Sequence, residues 1–313
     1  MSTLELVIDC IPPIVPSFIV VFAFVMLFDK QFKKHAKVFY IVAAVYMVWR
    51  YWYFPFSWYA NATGTKLPAF VNTITDPYWH VFESMPLLQL LERALFTVQT
   101  GIAFYLIVMF IGALPKTPRV KRLFAIRSEM SILGGILVLG HAIFRMGTPI
   151  YYWVNGVSTS LPRPLALLFY VVYAILFILL LLVFLVPFVT SFKAVRRRMQ
   201  PATWKKVQRV FSYPFYALMI ILGMALGAGW VASGINGFAV GQYVKSGDVS
   251  TFPTSIVYGA GMFWIYLLVG VTYLVLRVNK ARNDKRARLE KAAGGAASGE
   301  TQPAVSGEGA VAE

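Results

Sequence analysis

Long apolar runs recur along this chain, each set off from the next by a short polar segment. The first is "IPPIVPSFIVVFAFVMLF" and the second "VFYIVAAVYMVWRYWYFPFSW"; a later one, "RPLALLFYVVYAILFILLLLVFLVPFVTS", contains no acidic residue. A helix rises about 1.5 Å per residue, so about 20 residues cross a hydrocarbon core roughly 30 Å thick. Stretches of about 18 or more mostly apolar residues therefore read as spanning helices. The pattern predicts seven spans, at residues 11–28, 38–58, 87–114, 127–148, 164–191, 209–233 and 254–278. The expected fold class is all-α, a polytopic transmembrane helix bundle whose first partner is the lipid bilayer.

Composition agrees with this pattern. Hydrophobic residues make up 58% of the chain and charged residues only 13%, a balance foreign to soluble domains. The net charge of +16 would suggest a nucleic acid if it were spread evenly. It is not: the basic residues fall in alternate polar segments. Lys30, Lys33, Lys34 and Lys37 occupy the first, and Lys116, Arg119, Lys121, Arg122 and Arg127 the next. A third holds Lys193, Arg196, Arg197, Arg198, Lys205, Lys206 and Arg209, and the last begins at Arg277. Positive segments stay in the cytoplasm. The expectation is a multi-pass protein of a cell membrane, the bacterial cytoplasmic membrane, with the N-terminus outside, the C-terminus cytoplasmic and no nucleic-acid partner.

Smaller signals refine the layout. No Lys or Arg precedes the first apolar run, so no cleaved signal peptide is expected. Cys10 is the sole cysteine, which excludes an intrachain disulfide, an iron–sulfur cluster and covalent CxxCH haem attachment. The segment 59–86 is the one long outer connection, and Ser84 followed by Pro86 predicts an N-cap and a first helical turn. The helix beginning there is expected to exceed the hydrocarbon core and to tilt. Residues 1–37 form a first span and basic loop, 38–278 the main bundle, and 279–313 a basic and then low-complexity, disordered tail.

Ionisable residues at membrane depth are costly and mark functional candidates. Arg50, Glu129, His141 and Arg145 are those candidates here. His141 lies about 21 Å along its helix from Arg127, past the midplane, with Arg145 one turn further on the same face. A neutral imidazole facing a bundle interior suits axial ligation of a b-type haem, and a guanidinium one turn outward suits a propionate. Equally, His141 can hydrogen-bond a neighbouring helix while Arg145 snorkels outward. Arg50 is expected to face Glu129 or an anionic headgroup, and Glu129 to be neutralised by Arg127 or Lys121.

The order of motifs adds a second line. "TGIAFYLIVMFIGALP" precedes "VKRLFAIRSEMSILGGILVLGHAIF", then "RPLALLFYVVYAILFILLLLVFLVPFVTS" and "WKKVQRVFSYPFYALMIIL". This succession, over about residues 38–278, resembles the ferric-reductase-like transmembrane domain family. The resemblance implies electron transfer on b haems held by histidines of two helices, with His141 in the position of one ligand. On the other helix the positions implied for histidine hold Gln208 and Ile221, and Ser128 stands where an inner haem would need its ligand. Met224, three residues beyond Ile221, is a candidate thioether ligand in their place, and His80 a candidate second imidazole. Gly223 and Gly227 either bring two helices close or leave room for a flat ring.

No Gly-rich phosphate loop, flavin module or HExxH motif accompanies the bundle. The function that the resemblance implies is an integral membrane electron-transfer subunit without a soluble catalytic module of its own. It would pass electrons between quinone and a separate redox protein on the outer side, through one b-type haem with His141 on the metal. The alternative is a haem-free membrane anchor or assembly subunit descended from the same fold.

Overall fold

The computed structural model describes residues 10–95, 97–145, 163–239 and 251–299. Among them are thirteen helices and no strand. In chain order they are α1 (Ile14–Leu27), α2 (Asp29–Lys34), α3 (Ala36–Tyr51), α4 (Phe54–Thr63), α5 (Ala69–Ser84), α6 (Pro86–Leu95) and α7 (Val98–Ala113). Next come α8 (Pro118–Ala125), α9 (Arg127–Arg145), α10 (Arg163–Ser191), α11 (Lys193–Arg196), α12 (Pro201–Ala239) and α13 (Thr251–Gly299). The last helix runs into the low-complexity tail, and residues 300–313 lie outside the described part.

Three helices, α10, α12 and α13, are long and apolar enough to cross a membrane. Two bent pairs raise the number to five: α1 with Asp29–Ser57, turned by 113°, and α8 with Arg127–Ile143, turned by 55°. The chain is thus an all-α protein with three to five candidate spans. The third predicted segment is helical but broken. Ser84 closes α5, its hydroxyl donating back to the Val81 carbonyl, instead of capping the next helix. A new helix does begin at Pro86, yet it stops at Leu95, and Thr97 starts another through a reciprocal capping box with Thr100. The resulting α7 has 16 residues, about 24 Å at helical rise, and is short of the hydrocarbon thickness.

Every side chain of α7 from Ala103 to Met109 is buried. A helix apolar on all sides belongs at the centre of its bundle, and α7 packs there against α9, α1 and α13. Small residues set the closest approach. A Cβ on Gly101 would stand 2.7 Å from the Gly134 carbonyl, so α7 and α9 meet backbone to backbone. The outer faces remain apolar: Ile41, Val45, Leu168, Ile178, Leu182, Trp264 and Leu268 are all well exposed. A soluble protein does not carry so large an apolar exterior, and a lipid environment covers it.

The four basic segments meet at one end of the bundle. Asp29 of α2 receives two hydrogen bonds from Arg122 of α8, Nε to Oδ2 at 2.9 Å and Nη2 to Oδ1 at 2.8 Å. Lys193 of α11 approaches the buried Glu129 of α9 at 3.8 Å. Arg277 and Lys280 of α13 both donate to the Gly112 carbonyl at the end of α7, at 3.1 and 2.8 Å. Basic side chains there complement the negative end of the helix dipole.

The Asp29–Arg122 latch carries a pH signature. The hydrogen bonds from Arg122 hold the Asp29 carboxyl below its ordinary value of 3.8. A carboxylate depressed in the folded state stabilises it fully above the ordinary value, and that contribution is lost as pH falls through the depressed one. Asp29→Asn should therefore lower the thermal midpoint of the detergent-solubilised chain at about pH 6, well above both values. The gap from wild type should close as the pH is taken below 3.8. A gap that stays constant with pH would show that the latch does not contribute through its charge.

Candidate functional site

At the end of α3 remote from the basic segments, the chain buries a connected set of polar side chains. Tyr46 and Arg50 stand one helical turn apart and share a face of α3. Both reach Glu92 of α6. Arg50 Nη1 lies 2.7 Å from Glu92 Oε1, with the two side chains 15% and 6% exposed. The Tyr46 hydroxyl donates to the same oxygen at 3.0 Å and shares a further hydrogen bond with the Tyr78 hydroxyl of α5, also at 3.0 Å. The guanidinium carbon of Arg50 sits 5.6 Å from the centroid of the buried Tyr51 ring. The Tyr51 hydroxyl in turn lies 3.1 Å from His141 Nδ1, and the two rings meet edge to face at 5.5 Å.

The series Tyr78, Tyr46, Glu92, Arg50, Tyr51, His141 thus ties α3, α5, α6 and α9 together. Removing either charge of a pair held out of water leaves the other uncompensated. Arg50 was expected to face Glu129 or a headgroup, and its partner is Glu92 instead. Sequence reasoning passed over Glu92 because it stands among alternating leucines and polar residues near a predicted loop. The usable signal was the lone acid in "PLLQLLERAL", opposite a lone base in "VYMVWRYWYF". Among the described residues, the ion pair that Glu129 forms is with Lys193, not with Arg127 or Lys121. Glu129 also accepts a hydrogen bond from Ser128 at 2.8 Å.

The expected haem ligands do not converge. His141 is half-buried and turned toward α3. Met224 is half-buried on α12, a helix that packs chiefly on α13 and α10, whereas α9 packs chiefly on α7 and α3. Gln208 donates from Nε2 to Thr190 Oγ1 at 2.7 Å and to the Pro187 carbonyl at 3.3 Å, so it faces α10. Ile221 is 49% exposed on the outer face. His80 is exposed on α5. Arg145 closes α9 one turn beyond His141, and the role expected of its side chain lies outside the described residues.

Space is also committed. A Cβ on Gly140, next to His141, would stand 2.8 Å from Met47 Cβ, and one on Gly135 would overlap the Phe188 ring. Gly223 faces the ring of Tyr266, and a Cβ on Gly227 would stand 2.6 Å from the Gly259 carbonyl of α13. Of the two roles open to these glycines, close helix approach is the one adopted. Among the described residues, no group of three or more His, Cys, Asp or Glu side chains gathers to hold a metal ion. The residues present do not fit a haem held between α9 and α12.

No family model matches the chain, and no solved structure matches it. The chain is 28% identical, over 277 residues, to a protein of Treponema pallidum (strain Nichols) that bears only the name "Uncharacterized protein". The match covers 86% of this chain and 61% of that protein.

Proposed function

We propose that this chain is a multi-pass membrane subunit that works without haem, as an anchor or assembly partner within a membrane. In this reading the seven apolar segments are packed with the basic end in the cytoplasm and the Arg50–Glu92 network in the outer half. The cell membrane of a bacterium is its place. One observation carries the reading: the two helices that would share a macrocycle are packed through their glycines and Gln208 against other helices. The Trp204 indole adds to this by donating to the Thr190 carbonyl at 3.0 Å, so the "WKKVQ" stretch fastens α12 to the end of α10. The resemblance in motif order is then one of helix packing inherited from a common architecture.

The test is optical. The full chain, expressed with iron and haem precursor in excess and purified in mild detergent, should be folded and colourless. A Soret band in the wild type, absent from His141→Ala, would overturn the reading. In the colourless protein Tyr51→Phe should cost about 1 kcal/mol, the worth of one half-buried hydrogen bond.

A second reading is favoured by one observation. The Tyr51 hydroxyl at His141 Nδ1 is the kind of outer partner that orients a ligating imidazole. Under it the chain is an electron-transfer subunit between quinone and an outer redox protein, and a b haem would have to be held by His141 without a ligand from α12. The same spectrum separates the two.

A further inference from the structure

At the basic end, residues of α7, α8, α9, α12 and α13 line a cavity of about 280 Å³. Four cationic side chains line it: Arg127, Lys205, Arg209 and Arg277. Among the described residues no carboxylate lines it. Of the acids at this end, Asp29 is engaged by Arg122 and Glu129 by Ser128 and Lys193. Four like charges around one small volume repel each other unless an anion enters.

Two of the cations are fixed in place. Arg277 donates to the Gly112 carbonyl and lies over the Tyr213 ring, 5.1 Å from its centroid. Arg127 lies beside the buried Tyr216 hydroxyl. The other two, Lys205 and Arg209, stand one turn apart on α12 and are exposed, free to close on a guest. Arginine forks with neighbouring hydroxyl groups suit the tetrahedral oxygens of a phosphate. The surroundings suit it too. Val210 is 54% exposed and Tyr213 39% exposed beside the cavity, at the start of a helix whose outer face is apolar. A headgroup seated among the cations would leave its acyl chains along that face. Basic pockets between spanning helices on the cytoplasmic side hold anionic lipid headgroups in this manner.

We propose that this cavity binds a phosphate group, carried either by an anionic phospholipid or by a small soluble phosphate compound. The proposal does not depend on whether the chain holds haem, because the cavity and the His141 network occupy opposite ends of the bundle.

The experiment uses the full chain in detergent with two probes. Phosphatidylglycerol, against phosphatidylcholine as the neutral control, is titrated and bound lipid is counted by native mass spectrometry. Inorganic phosphate, against chloride at matched ionic strength, is titrated and thermal unfolding is followed. Lys205→Gln/Arg209→Gln removes the two exposed cations and leaves the packing ones. Lys33→Gln/Lys34→Gln removes the same charge from another basic segment. The first variant should bind its probe about 30-fold more weakly than wild type, the loss of two cations beside a charged headgroup. The second should bind as wild type does. Selective retention of phosphatidylglycerol without stabilisation by inorganic phosphate identifies a lipid; stabilisation by phosphate without lipid selectivity identifies a soluble compound. Equal weakening in both variants, or no binding of either probe to wild type, would overturn the proposal.

Discussion

Glu92→Leu should be among the most damaging single substitutions in this protein, lowering its stability by about 3–5 kcal/mol. Leucine fills a similar volume, so the loss is not one of packing. What it leaves is the Arg50 guanidinium, 15% exposed, without the carboxylate 2.7 Å away. It also removes the carboxylate oxygen to which the Tyr46 hydroxyl donates. The double variant Arg50→Met/Glu92→Leu should recover most of the loss, because a buried pair replaced whole by apolar groups is often no less stable than the pair itself. Unfolding of the detergent-solubilised protein, compared across wild type, both singles and the double, yields the coupling directly. If the double variant proves as unstable as the sum of the singles, the two charges do not depend on each other.

That prediction lies beyond what the linear sequence offered. Arg50 was visible as a costly residue, since a base inside "VYMVWRYWYF" has no local explanation. Its partner was not, because Glu92 sits 42 residues later, on a helix that starts where the pattern placed one and ends before the pattern did. Hydropathy reports the apolar extent of a segment; it does not see a break made by caps. Thr97 and Thr100 are ordinary letters in an apolar run, yet together they end one helix register and begin another. The all-α class and the lipid-facing exterior were legible for the opposite reason, since they depend on composition summed over long windows. Alternation of the basic segments was legible too, and Asp29–Arg122, Glu129–Lys193 and Gly112 with Arg277 gather those segments at one end. His141 marks the limit of such reading. Its chemistry allowed a metal ligand or a hydrogen-bonded core residue, and only the position of Tyr51 in space gives the ring a neighbour.

Gly227→Ala should separate the α12–α13 pair, with a loss of about 3 kcal/mol, the upper part of the range for an added methyl in a filled core. The new Cβ would stand 2.6 Å from both the Gly259 carbonyl and the Phe263 amide nitrogen. These are backbone atoms, and they cannot turn aside as a side chain does, so the two helices must move apart along their shared length. The same methyl at Gly112 meets nothing within 4 Å. Gly112→Ala lies near the end of α7 and should be neutral or stabilising by up to about 1 kcal/mol, through helix propensity alone. The contrast removes propensity from the comparison, since both substitutions change glycine to alanine within a helix. Thermal unfolding of the two variants, together with protease accessibility of the α12–α13 connection, measures it. In bilayers the exposed faces of α12 and α13 are already solvated by lipid, so the hydrophobic effect does little to hold them together. Their association must come from close contact, and equal stability of the two alanine variants would show that the glycine crossing is not what joins them.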